Sequence, residues 1–116
     1  MRVKFKAVDP FDKKSYYISK IDFNNKKITI LFRGTLENYY DFDDLKIIQT
    51  TEMFDINKNE VFEADLITDG LTTYLVFYDK SKGGYYGKSK VKEDQIEPLY
   101  VLLEKGFLVQ GSSYLQ

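Results

Sequence analysis

Apolar and polar residues alternate with period two along much of the chain, the pattern of strands with one buried and one solvated face. Val3-Lys4-Phe5-Lys6-Ala7-Val8 opens the series, and Asp9-Pro10 breaks it, because Pro fixes φ and lacks a ladder donor. Tyr16 to Phe23 and Lys27 to Phe32 read as the second and third strands. Asn24-Asn25 between them predicts a type I′ turn, since Asn tolerates positive φ, and Gly34 is expected to end that hairpin. Glu37 to Leu45 is acidic and aromatic without a clean period, a loop or a short edge strand. Lys46 to Phe54 resumes as a strand, Asp55 to Asn59 has turn chemistry, and Glu60 to Ile67 continues extended.

Asp69-Gly70 is a further turn signal ahead of Leu71 to Tyr78. The stretch Tyr74-Leu75-Val76-Phe77-Tyr78 is apolar on both faces, which predicts a central strand. Lys80 to Gly84 turns the chain, and Tyr85 onward is extended again. The one helical candidate is Pro98 to Lys105. Pro98 suits a first turn, Leu99, Leu102 and Leu103 form a stripe of helical period, and Gly106 follows as a stop. A hairpin turning at Glu104-Lys105-Gly106 is the alternative, with Phe107 to Val109 as a last strand. The expected fold is mainly β and antiparallel, barrel-like or sandwich-like, with at most one short helix near residues 98–105. Neither a repeat nor a linker interrupts it.

The length of 116 residues suits one domain over residues 1–116, with room for two small packed subdomains. Composition narrows the chemistry more than the fold. The chain has no His and no Cys, which removes the commonest general base, thiolate nucleophiles, disulfides and His- or Cys-ligated zinc. No catalytic motif is expected, and no cofactor or metal. No apolar run approaches the roughly 20 residues of a membrane span, and the N-terminus lacks a signal-peptide apolar region. The expectation is a cytoplasmic protein without a membrane partner. The net charge of −1 conceals segregation: residues 1–36 carry net +6, residues 37–79 net −9 and residues 80–116 net +2. Strands from different segments would mix these charges; otherwise opposed charged faces would favour self-association.

At Ile47 to Ile67 the string IIQTTEMFDINKNEVFEADLI resembles the signature of the YopX family, small proteins of phages and prophages. Gln49, Thr51, Asp55, Asn57, Glu60, Glu63 and Asp65 stand where the family pattern places them. Arg2 to Ala7 is similar to the family's basic opening strand, and Val109 to Tyr114 to its closing segment. Glu52, Lys58 and Ala64 occupy positions where the family favours glycine, which marks a divergent member. The resemblance implies a mainly β fold, a phage or prophage origin in a bacterial host and no established activity. The signature residues are expected to be structural, since Asp and Asn accept local N–H bonds in turns.

Three chemistries compete for the remaining features. Asp55-x-Asn57-x-Asn59 starts like a calcium loop but lacks its glycine and bidentate Glu. A cluster of Asp43, Asp44, Glu63 and Asp65 could hold magnesium in a nuclease-like site, though nothing in the spacing demands it. Tyr85-Tyr86-Gly87-Lys88-Ser89-Lys90-Val91-Lys92 would place Lys88, Lys90 and Lys92 on one strand face, able to follow a phosphate backbone while Tyr85 or Tyr86 stacks on bases. Three adjacent pairs, Tyr16-Tyr17, Tyr39-Tyr40 and Tyr85-Tyr86, would each turn one ring outward from a strand. Exposed Tyr favours interfaces, so the leading expectation is a non-enzymatic module that binds a protein partner or itself. Single-stranded nucleic acid is the alternative partner.

Overall fold

The computed structural model describes residues 4–32 and 36–116. Arg2 and Val3 at the expected first strand, and Gly34 at the expected hairpin end, lie outside those residues. The chain is mainly β, built of two antiparallel sheets with one short helix, and no closed barrel forms among the described residues. It divides into two compact units, residues 1–49 with Leu115 and residues 50–114 with Gln116. No described helix is long and apolar enough to cross a membrane.

The N-terminal unit contains β1 (Phe5–Asp9), β2 (Lys14–Asp22), β3 (Lys27–Phe32), β4 (Leu36–Asp41) and the first part of β5 (Lys46–Phe54). These strands lie in the order β4-β3-β2-β1-β5, so Glu37 to Asp41 of the segment without a clean period form an edge strand, and residues 42–44 a turn. Ala7, Ile28, Ile30 and Leu45 form the core, with Tyr16, Ile18, Tyr40, Phe42 and Ile47 packed against it.

The expected Asn24-Asn25 type I′ turn is not the one that forms. Asp22 and Lys27 are paired, leaving four residues in the loop, and Lys26 takes the left-handed conformation at φ 55°. Asp22 Oδ1 accepts from the N–H groups of Asn24 and Asn25, which keeps both out of positive φ. The same device recurs elsewhere. Asp9 Oδ1 accepts from Phe11 and Asp12, with Lys13 at φ 58° before the next strand. Asp79 Oδ1 accepts from Ser81 and Lys82, with Gly83 at φ 72°. An Asp that ends one strand and draws in the following amides sets all three hairpins.

The C-terminal unit starts with the second part of β5, which pairs with β6 (Glu60–Phe62). The extended run expected over Glu60 to Ile67 bends at Glu63 and Ala64 before β7 (Asp65–Thr68), with Ala64 at φ 67°. The strand expected from Leu71 starts later, as β8 (Thr73–Asp79), because Asp69 Oδ1 accepts from Leu71 and Thr72 and holds both in a turn. It is followed by β9 (Gly84–Ser89), β10 (Ile96–Pro98), α1 (Leu99–Glu104) and β11 (Leu108–Ser112). A 3-10 turn at Ser113–Leu115 closes the chain.

The strand order is β10-β9-β8-β7-β11, which puts β8 at the centre as its residues predict. Its burial nevertheless alternates: Tyr74 and Val76 are buried, Leu75 and Phe77 half-buried, and Tyr78 exposed. The helix forms in place of the alternative hairpin, because its Leu99, Leu102 and Leu103 complete the core with Val61, Ile67, Tyr74, Val76 and Phe107. Gly106, at φ 93°, ends it, and β11 runs from Leu108 rather than Phe107. Gly87 on β9 is what lets the helix approach: a Cβ there would stand 2.4 Å from Leu102 Cδ1 and 3.2 Å from Tyr74 Cβ.

Candidate functional site

The signature segment folds around its own acids. Asp55 is buried, and its Oδ1 accepts from the amides of Asn57 and Asn59, each at 2.9 Å. Its Oδ2 accepts from Val109 N at 2.9 Å and Asn59 Nδ2 at 3.4 Å, tying the turn to β11. Burial pushes this carboxyl up, but the N–H donors from Val109, Asn59 and Asn57 outweigh it and hold the pKa below its ordinary value. The calcium-loop likeness of Asp55-x-Asn57-x-Asn59 is therefore turn chemistry.

The other signature residues are placed in the same way. Thr51 Oγ1 donates to Val61 O at 2.7 Å and accepts from Met53 N. Thr50 Oγ1 donates to the Glu60 carboxylate and accepts from Glu52 N at 2.9 Å. Asp65, buried, accepts from Phe62 N at 2.8 Å and holds the bend, while Ala64 N donates to Val76 O at 2.8 Å. Glu63 is half-buried and Gln49 is exposed on β5. Glu52, Lys58 and Ala64, where the resemblance places glycine, have φ of 62°, 66° and 67°. The backbone keeps the left-handed geometry that favours glycine and forces it on side-chain-bearing residues.

Among the described residues, no three His, Cys, Asp or Glu side chains gather as a metal-holding group. Asp43 and Asp44 belong to the N-terminal unit, Glu63 and Asp65 to the C-terminal unit. The basic strand face on β9 does not form. Only Lys88 lies in the strand, half-buried; Ser89 Oγ accepts from Val91 N and Lys92 N, so the chain turns there and carries Lys90 and Lys92 away. Tyr85 packs against the C-terminal core, in edge contact with Tyr78 at 5.1 Å. Burial, then the charge of Glu63, pushes its hydroxyl pKa up. Tyr86 faces the other way, against Phe77, with Lys82 Nζ 4.9 Å from its ring centre.

The other two Tyr pairs divide as strand geometry predicts. Tyr16 and Tyr40 turn inward and stack at 6.3 Å, while Tyr17 and Tyr39 turn outward, 64% and 69% exposed. Tyr17 lies on β2 and Tyr39 on β4, both on the face of the sheet away from the core, with β3 between them. That spacing separates them by about 9.5 Å in the hydrogen-bonding direction. Thr29 stands opposite both Lys20 and Tyr39, and Lys27 is paired with Asp41 in the next row. The Lys27 ammonium forms an ion pair with Asp41, which raises its pKa. Beside it an open depression of about 360 Å³ is lined by Lys27, Tyr39, Tyr40, Asp41 and Asp44. The Tyr pairs were visible in the sequence; the lysines set beside them depend on a strand register that a bulge at Ser19 shifts.

No protein-family model and no curated protein matches the chain.

Proposed function

We propose that this chain is an accessory protein of a phage or prophage, similar to YopX proteins, that acts in the host cytoplasm by binding rather than by catalysis. The observation that carries the reading is the outward pair Tyr17 and Tyr39 on one face of the N-terminal sheet. A tyrosine ring offers large, stiff contact area with a polar tip, and so dominates contact surfaces when it stands outside the core. The signature carboxylates Asp55, Glu60 and Asp65 hold turns, which supports a structural role for them. The left-handed backbone at Glu52, Lys58 and Ala64 supports the YopX-like reading, since glycine is what the resemblance expects there.

The test is affinity capture from host cells with the wild-type chain and a Tyr17→Ala/Tyr39→Ala variant, recovering protein and nucleic acid together. The wild type retains a partner that the variant loses; light scattering shows whether that partner is a second copy. Equal retention by both chains overturns the proposal.

A further inference from the structure

The outward face of β2, β3 and β4 has the chemistry of a single-stranded nucleic-acid platform, and we infer that its partner is single-stranded DNA or RNA. The inference rests on reading that face as the contact surface. Every base presents a π-face, so two exposed tyrosines on one sheet bind successive unpaired bases with little regard to sequence. Tyr17 and Tyr39 meet that requirement, two strands apart on the same face. A lysine for the backbone phosphates stands beside them: exposed Lys20 is in register with Thr29, which in turn is opposite Tyr39.

Two acids of these strands are held by other groups. Asp22 turns both oxygens to Asn24 and Asn25 within its own hairpin, and Asp41 is held by Lys27. Over residues 1–49 ten Lys and Arg stand against seven Asp and Glu, a net +3 in a chain of net −1. A protein-binding patch usually has an apolar centre depleted of Lys. Here Lys20 and Thr29 stand in the row of Tyr39 in place of an apolar centre, which favours a polyanion with aromatic bases. The β9 segment is the poorer platform, because Tyr85 is packed against the core and Lys90 and Lys92 leave the strand.

Fluorescence anisotropy at low salt, with labelled dT and U oligonucleotides of about 12 nucleotides and a duplex of equal length, tests the inference. Both single strands bind more tightly than the duplex, and any preference between dT and U assigns the natural strand. Tyr17→Ala and Tyr39→Ala each weaken binding by about tenfold, while Tyr86→Ala leaves it unchanged. Lys20→Gln lowers the slope of log affinity against log salt by about 0.7, the share of one phosphate contact. Overlapping thermal melts show that the variants remain folded. Preference for duplex, or sensitivity to Tyr86→Ala but not to Tyr17→Ala, overturns the inference. Absence of binding does the same; if capture still returns a protein lost by the double tyrosine variant, the contact face survives and the nucleic-acid partner alone is refuted.

Discussion

Replacing Asp55 with Asn removes one acceptor oxygen and a charge from a site where every donor is already fixed. The carboxylate accepts three backbone N–H bonds at 2.9 Å, from Asn57, Asn59 and Val109, and a fourth at 3.4 Å from Asn59 Nδ2. A carboxamide has one oxygen. If it faces Asn57 and Asn59, its NH2 group meets the Val109 N–H; the flipped orientation meets the other two donors. At least one buried amide loses its acceptor, at a cost of about 1–3 kcal/mol, and the remaining bonds lose charge assistance. The expected loss is about 2–4 kcal/mol, and about 3–5 kcal/mol for Asp55→Ala.

Urea unfolding followed by near-ultraviolet circular dichroism of the ten tyrosines measures it. The pH dependence has a defined sign. The folded pKa of Asp55 lies below its ordinary value, so its contribution is complete above an unfolded value of about 4 and fades as pH falls through the folded value. The stability gap between wild type and Asp55→Asn therefore narrows below about pH 4. A gap under about 0.5 kcal/mol at neutral pH, or one that does not narrow in acid, refutes this role for the carboxylate.

Three further outcomes follow from particular positions. Lys58→Gly relieves a left-handed residue at φ 66°; removing about 1–2 kcal/mol of strain against about 0.4–1 kcal/mol of added unfolded-state entropy leaves a net gain of about 0.5–1 kcal/mol in urea unfolding. Gly87→Ala drives a Cβ into Leu102 and Tyr74 and costs about 1–3 kcal/mol, seen as a lowered melting temperature; an unchanged melt would show that the helix is not seated as described. Asp55 and Asp65 already accept backbone N–H bonds within the C-terminal unit, so calorimetric titration with magnesium gives no saturating isotherm, and a saturating one would restore the nuclease reading.

Much of the fold was legible where burial and period agree. Lys27 to Phe32 and Lys46 to Phe54 are strands over the very residues their alternation marks, and Leu99, Leu102 and Leu103 bury as a helical stripe. Legibility failed where a side chain outside the hydrophobic pattern redirects the backbone. Asp22 captures the amides of Asn24 and Asn25 and changes the turn, and Ser89 does the same to Val91 and Lys92, carrying two lysines out of the strand. Register was the other hidden quantity. The Tyr16-Tyr17 and Tyr39-Tyr40 pairs promised one ring outward each, but only the register of β2 on β3 and β3 on β4 puts Tyr17, Lys20 and Tyr39 on one face. The three glycine-favoured positions show a third limit: Glu52, Lys58 and Ala64 adopt backbone angles that their own side chains disfavour, because the surrounding hydrogen bonds dictate the path.

The contact face itself is mapped by an amide NMR titration of the isotope-labelled chain with a single-stranded oligonucleotide. Shifts confined to residues of β2, β3 and β4, centred on Tyr17, Lys20, Thr29 and Tyr39, are the result expected. Shifts centred instead on Tyr86 and Lys88, or no shifts at saturating oligonucleotide, would contradict it.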